Sequence, residues 1–152
     1  MINWIWKDFS ALTADELYDL LRLRQQIFIL EQQCLYLDID GLDECAWHLL
    51  AMNGAGELVG YLRVVAPEKK YAEPSMGRVL IRQDVRGKGL GSRLVDRGIQ
   101  YVRSQFSIES IRISAQLHLR AFYERFGFQS MGEPYLEDGI PHIEMLLAKK
   151  LM

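Results

Sequence analysis

The feature that most constrains this chain is the stretch Gly77-Arg78-Val79-Leu80-Ile81-Arg82, followed by Gln83-Asp84-Val85-Arg86-Gly87-Lys88-Gly89-Leu90-Gly91 and a long helical pattern. It reads as strand, glycine loop and helix. Gly87, Gly89 and Gly91 stand at alternate positions with Arg86 and Lys88 between or beside them, so the backbone can approach a ligand with no Cβ in the way and cations close by. A helix beginning near Leu90 leaves its first N–H groups unpaired and turns the positive end of its dipole toward whatever the loop holds. The backbone from Gly87 to Ser92 is therefore expected to cradle a phosphate. Two familiar phosphate loops do not fit. Lys88 is followed by Gly89, not by the Ser or Thr a Walker loop needs, and the pattern is G-x-G-x-G in mid-chain where a Rossmann fingerprint needs G-x-G-x-x-G after a first strand. Glu109 lies about twenty residues on, but ahead of the next strand instead of at its end.

A chain of 152 residues suits one domain, residues 1–152. The net charge of −2 argues against a general nucleic-acid binder, which needs a basic excess to displace counterions. No basic leader with an apolar run opens the chain, and no apolar segment approaches a membrane span, so a cytoplasmic protein without membrane association is expected. Cys34 and Cys45 lack C-x-x-C spacing and are expected to be reduced and non-catalytic. His48, His118 and His142 are too dispersed to mark a metal by spacing, and none is expected.

Read in order, Trp4, Ile5, Trp6 and Phe9 make a first strand, and Thr13-Ala14-Asp15-Glu16 has capping-box spacing. Leu17, Leu20, Leu21, Arg24 and Phe28 recur at helical intervals, predicting a helix that ends near residues 29–31. Residues 31–44 lose periodicity and are acidic, consistent with either a solvated connector or a wall of carboxylates beside a cationic substrate. Strands at 46–52 and 58–66 read as a hairpin around 53–57, and a loop at 67–74 leads to the strand at 76–82, completing an antiparallel meander. The helix from Leu90 to Phe106 is followed by a strand at 108–115, a helix at 119–126 closed by Gly127, and strands at 128–135 and 143–151.

The set Arg86, Gly89 and Gly91 resembles the Arg/Gln-x-x-Gly-x-Gly/Ala pyrophosphate loop of the GNAT superfamily of acetyl-CoA-dependent N-acyltransferases, and the order of elements matches that superfamily from end to end. Ala121-Phe122-Tyr123-Glu124-Arg125-Phe126-Gly127-Phe128 resembles its Leu-Tyr-x-x-x-Gly-Phe segment. Within it the chain is similar to the ElaA-like branch, through Glu31-Gln32, Cys34, Tyr36, Asp38, Asp40-Gly41, Gln116, His118-Leu119 and Glu137-Asp138-Gly139-Ile140-Pro141-His142. Gln116 stands where many members hold Asn, and Leu119 where Ala is usual.

This resemblance implies an α/β (α+β) fold. Its central sheet is mixed and mostly antiparallel, of about seven strands, with helices on both faces and a V-shaped split between the fourth and fifth. It also implies acetyl-CoA bound in that split: Val79, Leu80 and Ile81 along the pantetheine arm, Arg86, Gly87, Lys88, Gly89, Leu90, Gly91 and Ser92 at the pyrophosphate, and Gln116, His118 and Tyr123 near the thioester. Tyr123 would be the general acid for direct transfer to a primary amine. A lysine-like amine must first lose a proton, at a cost near 4.6 kcal/mol at pH 7, roughly 3.4 pKa units below its own value. Glu31, Asp40 and His142 are candidate bases, and Asp38 and Asp40 candidate substrate-binding carboxylates in an acidic wall, formed where residues 31–44 converge with the turn at 137–142 at the mouth opposite the pyrophosphate, that would select a cation. The alternatives are a non-catalytic acyl-CoA-binding or sensing module and, third, a nucleotide-binding protein of another fold. Oligomeric state stays open, a homodimer included.

Overall fold

The computed structural model describes residues 1–107 and 110–148. Seven strands form one sheet in the order β1-β2-β3-β4-β5-β7-β6: β1 (Asn3–Asp8), β2 (Ala46–Met52), β3 (Leu58–Val65), β4 (Ser75–Ile81), β5 (Ile111–Gln116), β6 (Gln129–Glu137) and β7 (Ile140–Leu147). Neighbours are antiparallel except β4 and β5, which run parallel and meet at the single pair Ser75↔Arg112. Beyond that pair the two strands diverge, and the expected split opens between them.

Helix α1 (Ala14–Arg24) starts where the sequence predicts. The Thr13 hydroxyl accepts from the Glu16 amide at 3.1 Å and the Glu16 carboxylate accepts from the Thr13 amide at 2.9 Å, satisfying two orphan donors reciprocally. The helical path then continues as a wider π turn, Gln25–Glu31, so the expected end near 29–31 holds while the last turns do not keep α-helical pitch.

The sheet is covered on both faces. Leu20, Leu23, Ile27 and Phe28 pack on Leu50, Tyr61 and Leu80 on one side. On the other, α2 (Leu90–Gln105) lays Leu90, Leu94, Val95, Ile99 and Val102 on Leu49, Leu62, Val64 and Met76. Buried from both sides, every residue of β3 is inaccessible, which is why its sequence is nearly continuous in apolar residues instead of alternating. Helix and sheet approach most closely at Gly98, where a Cβ would lie 2.7 Å from the Met76 sulfur and 3.2 Å from Leu62. Gly98→Val is expected to cost about 1–3 kcal/mol by overpacking, against a gain of a few tenths in helix propensity, as read from the midpoint of chemical denaturation.

Element boundaries differ from the sequence reading in several places: the first strand stops at Asp8 and Phe9, expected within it, opens a 3₁₀ turn at Phe9–Ala11, and β6 runs on to Glu137. Helix α3 spans only Arg120–Glu124, preceded by a 3₁₀ turn at Leu117–Leu119. The final strand begins at Ile140, not at 143, because Asp138 (φ +51°) and Gly139 (φ +79°) make a two-residue turn that pairs Glu137 directly with Ile140. Strand β5 begins at Ile111. The expected start of that strand at residues 108–109 and the expected end of the last at 149–151 lie outside the described residues.

Candidate active site in the split sheet

A kink in β4 shapes the site. Tyr61 pairs with Leu80 but Arg63 pairs with Gly77, so Arg78 and Val79 together oppose Leu62 in a bulge. Arg78 takes φ +51°, a conformation a side chain resists. Its guanidinium is held in return: Nε lies 2.8 Å from Asp38 Oδ1 and Nη2 3.2 Å from Asp40 Oδ2.

These contacts belong to a closed ring of six alternating charges. Arg24 meets Asp38 (2.8 Å) and Asp43 (2.6 Å), Arg63 meets Asp43 (3.0 Å) and Asp40 (2.8 Å), and Arg78 joins Asp40 back to Asp38. Three arginines balance three aspartates, so the ring is neutral. Burial alone would raise the Asp40 and Asp43 carboxyls. Hydrogen bonds and charge from Arg63 at Asp40, and from Arg24 at Asp43, outweigh it and hold both below the usual carboxylate range. Beneath the ring, buried His48 donates Nε2–H to the Asp43 carbonyl (2.9 Å) and accepts the Tyr61 hydroxyl on Nδ1 (2.5 Å), a neutral tautomer that agrees with its lowered pKa, set first by burial.

The segment 31–44 is thereby fastened to α1, β3 and β4, and its other side touches the β6–β7 turn, where the Cys34 thiol donates to the Asp138 carbonyl at 2.9 Å. Between them and the diverging strands lies a cleft of about 390 Å³. Val79, Gln116, Tyr123, Glu137 and His142 line it, with Asp40 and Lys70 at its polar wall.

Tyr123 is only 8 % exposed, wedged edge-on against Phe122 and Phe128. Burial alone pushes its phenol up to about 12, with no hydrogen bond or charge from the described residues acting on it. His142, stacked on Tyr135, donates Nδ1–H to the Ile140 carbonyl (2.7 Å), which leaves Nε2 facing Glu137 Oε2 at 3.4 Å. Gln116 gives its amide to Gln32 at 3.3 Å, and Tyr135 and Ser114 share a short hydroxyl contact beside it.

Several sequence-predicted residues fall elsewhere. Glu31, a candidate base, makes a two-pronged ion pair with Arg86 (2.7 and 3.0 Å) outside this cleft. Arg86 also donates to the Ile81 carbonyl, so neither that guanidinium nor that carbonyl is free. The pair is about one-third exposed on each side and is worth at most about 1 kcal/mol, so an arriving phosphate can exchange for it. Asp40 lines the cleft and Asp38 does not, and both are members of the ring, so the expected wall of carboxylates is neutralised there by arginines. His118 is exposed and does not line the cleft. Sequence reasoning missed Arg24, Arg63 and Arg78 as partners, although Arg24 carried a signal, a charge at a position on the apolar face of α1.

Past the cleft, Gly87 and Gly89 hold φ of +82° and +78°, and a Cβ at either would meet nothing within 4 Å. Gly89 caps α2 directly, so the amides of Leu90, Gly91 and Ser92 open onto that space. A diphosphate fits this backbone cradle, and its linear tail would follow the unpaired edge of β4 toward Tyr123.

A family model for the acetyltransferase (GNAT) domain matches residues 22–149. The chain belongs to the GNAT acetyltransferase family. It is 43% identical over 145 residues to a UPF0039 protein of Synechocystis, covering 95% of this chain and 94% of that one. Escherichia coli ElaA is 37% identical with 95% of each chain covered, and its crystal structure superposes with a TM-score of 0.89, placing this GNAT in the ElaA-like branch. A crystal structure of an acyl-CoA N-acyltransferase from Pseudomonas aeruginosa matches with a TM-score of 0.92 at 41% identity, over 97% of this chain and 100% of that one. The GNAT fold and domain make this chain an acyl-CoA-dependent acyltransferase. Among the described residues no group of three or more metal-ligating side chains forms, and no helix is long and apolar enough to cross a membrane.

Proposed function

We propose that this GNAT transfers an acetyl group from acetyl-CoA directly to a primary amine of a small molecule, peptide or protein. Acetyl-CoA supplies the activated acyl group as a thioester. The observation that carries the reading is the Tyr123 phenol, buried, protonated through neutral pH and lining the cleft, with the glycine cradle of residues 87–92 lying past that cleft. An acyl-CoA sensor would have no use for a proton donor there.

Residues 87–92 bind the pyrophosphate through backbone amides, with Lys88 alongside, and Val79 offers its backbone to the pantetheine arm. His142 Nε2 takes a proton from the acceptor ammonium, Glu137 stabilising the charge that results. The amine nitrogen bonds to the thioester carbon, the carbon–sulfur bond breaks, Tyr123 protonates the departing thiolate, and the proton still carried by the acylated nitrogen returns to the Tyr123 phenolate. Asp40, whose lone pairs are committed to Arg63 and Arg78, is the weaker candidate for base, and Glu31 lies too far toward the cradle.

The decisive experiment follows thiol release from acetyl-CoA over polyamines, amino acids, aminoglycosides and peptides. Amine-dependent release supports transfer; tight acetyl-CoA binding with no release for any amine would replace it with the sensor reading. The cradle makes its own prediction. Gly89→Val is expected to weaken CoA binding roughly ten- to hundredfold by calorimetry, as one or two charge-assisted hydrogen bonds are lost. The fold should survive, because a Cβ there meets no protein atom within 4 Å and the substitution adds mainly backbone strain of about 1–3 kcal/mol. Unchanged affinity in the folded variant would move the pyrophosphate elsewhere.

A further inference from the structure

With the ring neutral, three charged side chains that line the cleft stand outside it: Lys70, Glu137 and Asp138. Lys70 lies on the loop between β3 and β4, which turns on a Glu68 amide bonded to the Tyr71 carbonyl at 2.8 Å. Its ammonium stands 5.5 Å over the Tyr71 ring, and among the described residues it reaches no carboxylate within ion-pair distance. Lys70 is exposed where it lines the cleft; desolvation lowers its pKa, Glu137 opposes that, and Arg63 and Arg78 lower it further, so an anion beside Lys70 favours its charged form. Of the two carboxylates, Glu137 is the one that faces His142. Its carboxylate lies 3.4 Å from His142 Nε2 but beyond ion-pair reach of Lys70, although both line the same cavity of about 390 Å³.

We infer that the acceptor is an amino-acid-like zwitterion, its carboxylate held by Lys70 and its amine presented at the Glu137–His142 pair. This rests on the transfer reaction proposed above and names its substrate class. A polyamine, the guest expected of a carboxylate wall, is disfavoured by the same geometry: its second ammonium would approach Lys70, while Asp38, Asp40 and Asp43 are already spent on Arg24, Arg63 and Arg78. The volume suits a single small molecule beside the acyl group better than a folded protein segment. A free amino acid and the carboxyl end of a peptide share this chemistry, and the test separates them.

The test compares kcat/KM for the common amino acids, each beside its primary amide, its decarboxylated amine and a dipeptide ending in it. The acid is expected to exceed the amide and the amine by about ten- to hundredfold, the scale of one charge-assisted hydrogen bond. Lys70→Met should erase that preference by raising KM for the acid alone, with KM for acetyl-CoA and the rate on the amide unchanged. Lys70→Glu should invert it in favour of diamines. Equal use of acid and amide by the unmodified enzyme, or equal loss on both in Lys70→Met, overturns the inference while leaving amine acetylation standing. Acetyl-CoA binding with no acceptor acetylated overturns both. Dipeptides preferred over free amino acids would replace the small zwitterion with a peptide terminus.

Discussion

Tyr123→Phe is expected to bind acetyl-CoA as tightly as the unmodified enzyme while turnover at saturating substrates falls by about 10²–10⁴-fold, the usual contribution of a positioned general acid. The ring and its edge-on contacts to Phe122 (5.1 Å) and Phe128 (5.9 Å) persist in the variant. No hydrogen bond or charge from the described residues acts on the lost hydroxyl, so no buried polar group is orphaned and stability should barely move. The same burial that raises the phenol to about 12 keeps it a donor through the neutral and mildly alkaline range, whereas a thiolate leaving unassisted must carry its charge in a poorly solvated cleft. Steady-state kinetics together with calorimetric CoA affinity decide the matter. A fall below about threefold, far under the general-acid range, would return Tyr123 to packing alone.

What the sequence disclosed, and what it hid, follows from the range of the interactions involved. The cradle was legible because it is local: positive φ at Gly87 and Gly89 and the helix start at Leu90 lie within four residues. So was the capping box, a contact between Thr13 and Glu16. The convergence of 31–44 with the β6–β7 turn was expected from their acidity, and the two segments do touch through Cys34 and Asp138, but for a different reason. Asp38, Asp40 and Asp43 in that segment meet Arg24, Arg63 and Arg78, which lie up to 40 positions away, and no local pattern announces such a pairing. The bulge at Arg78 was equally silent. A non-glycine residue at φ +51° inside a strand violates propensity, and only the ring explains how it is held.

That explanation predicts a large loss when the ring is opened. Arg24 is fully buried and is bound to both Asp38 and Asp43, so Arg24→Met should cost about 3–5 kcal/mol, the range for removing one partner from a buried ion pair. Methionine nearly fills the arginine stem's volume, so the loss reports charge, not a cavity. For a domain of this size it corresponds to a fall in Tm of roughly 6–20 °C. The pH dependence separates the two explanations further. In the intact ring Asp40 and Asp43 have pKa values below those of the unfolded chain, so their stabilisation is fully present above about pH 4 and fades only as the pH falls through the lower, folded values. Without Arg24, Asp43 loses the largest contribution opposing its burial and keeps only Arg63 at 3.0 Å, so its carboxyl rises from its value in the intact ring. The deficit of the variant should therefore be complete at neutral pH and narrow as the pH drops below about 4, when protonation relieves the under-compensated charge. Denaturation of both proteins across that range measures it directly. A loss under about 1 kcal/mol, as for an exposed pair, would mean the ring is not what holds segment 31–44 and the Arg78 bulge in place. A deficit that does not change with pH would mean that Arg24 acts through its packing.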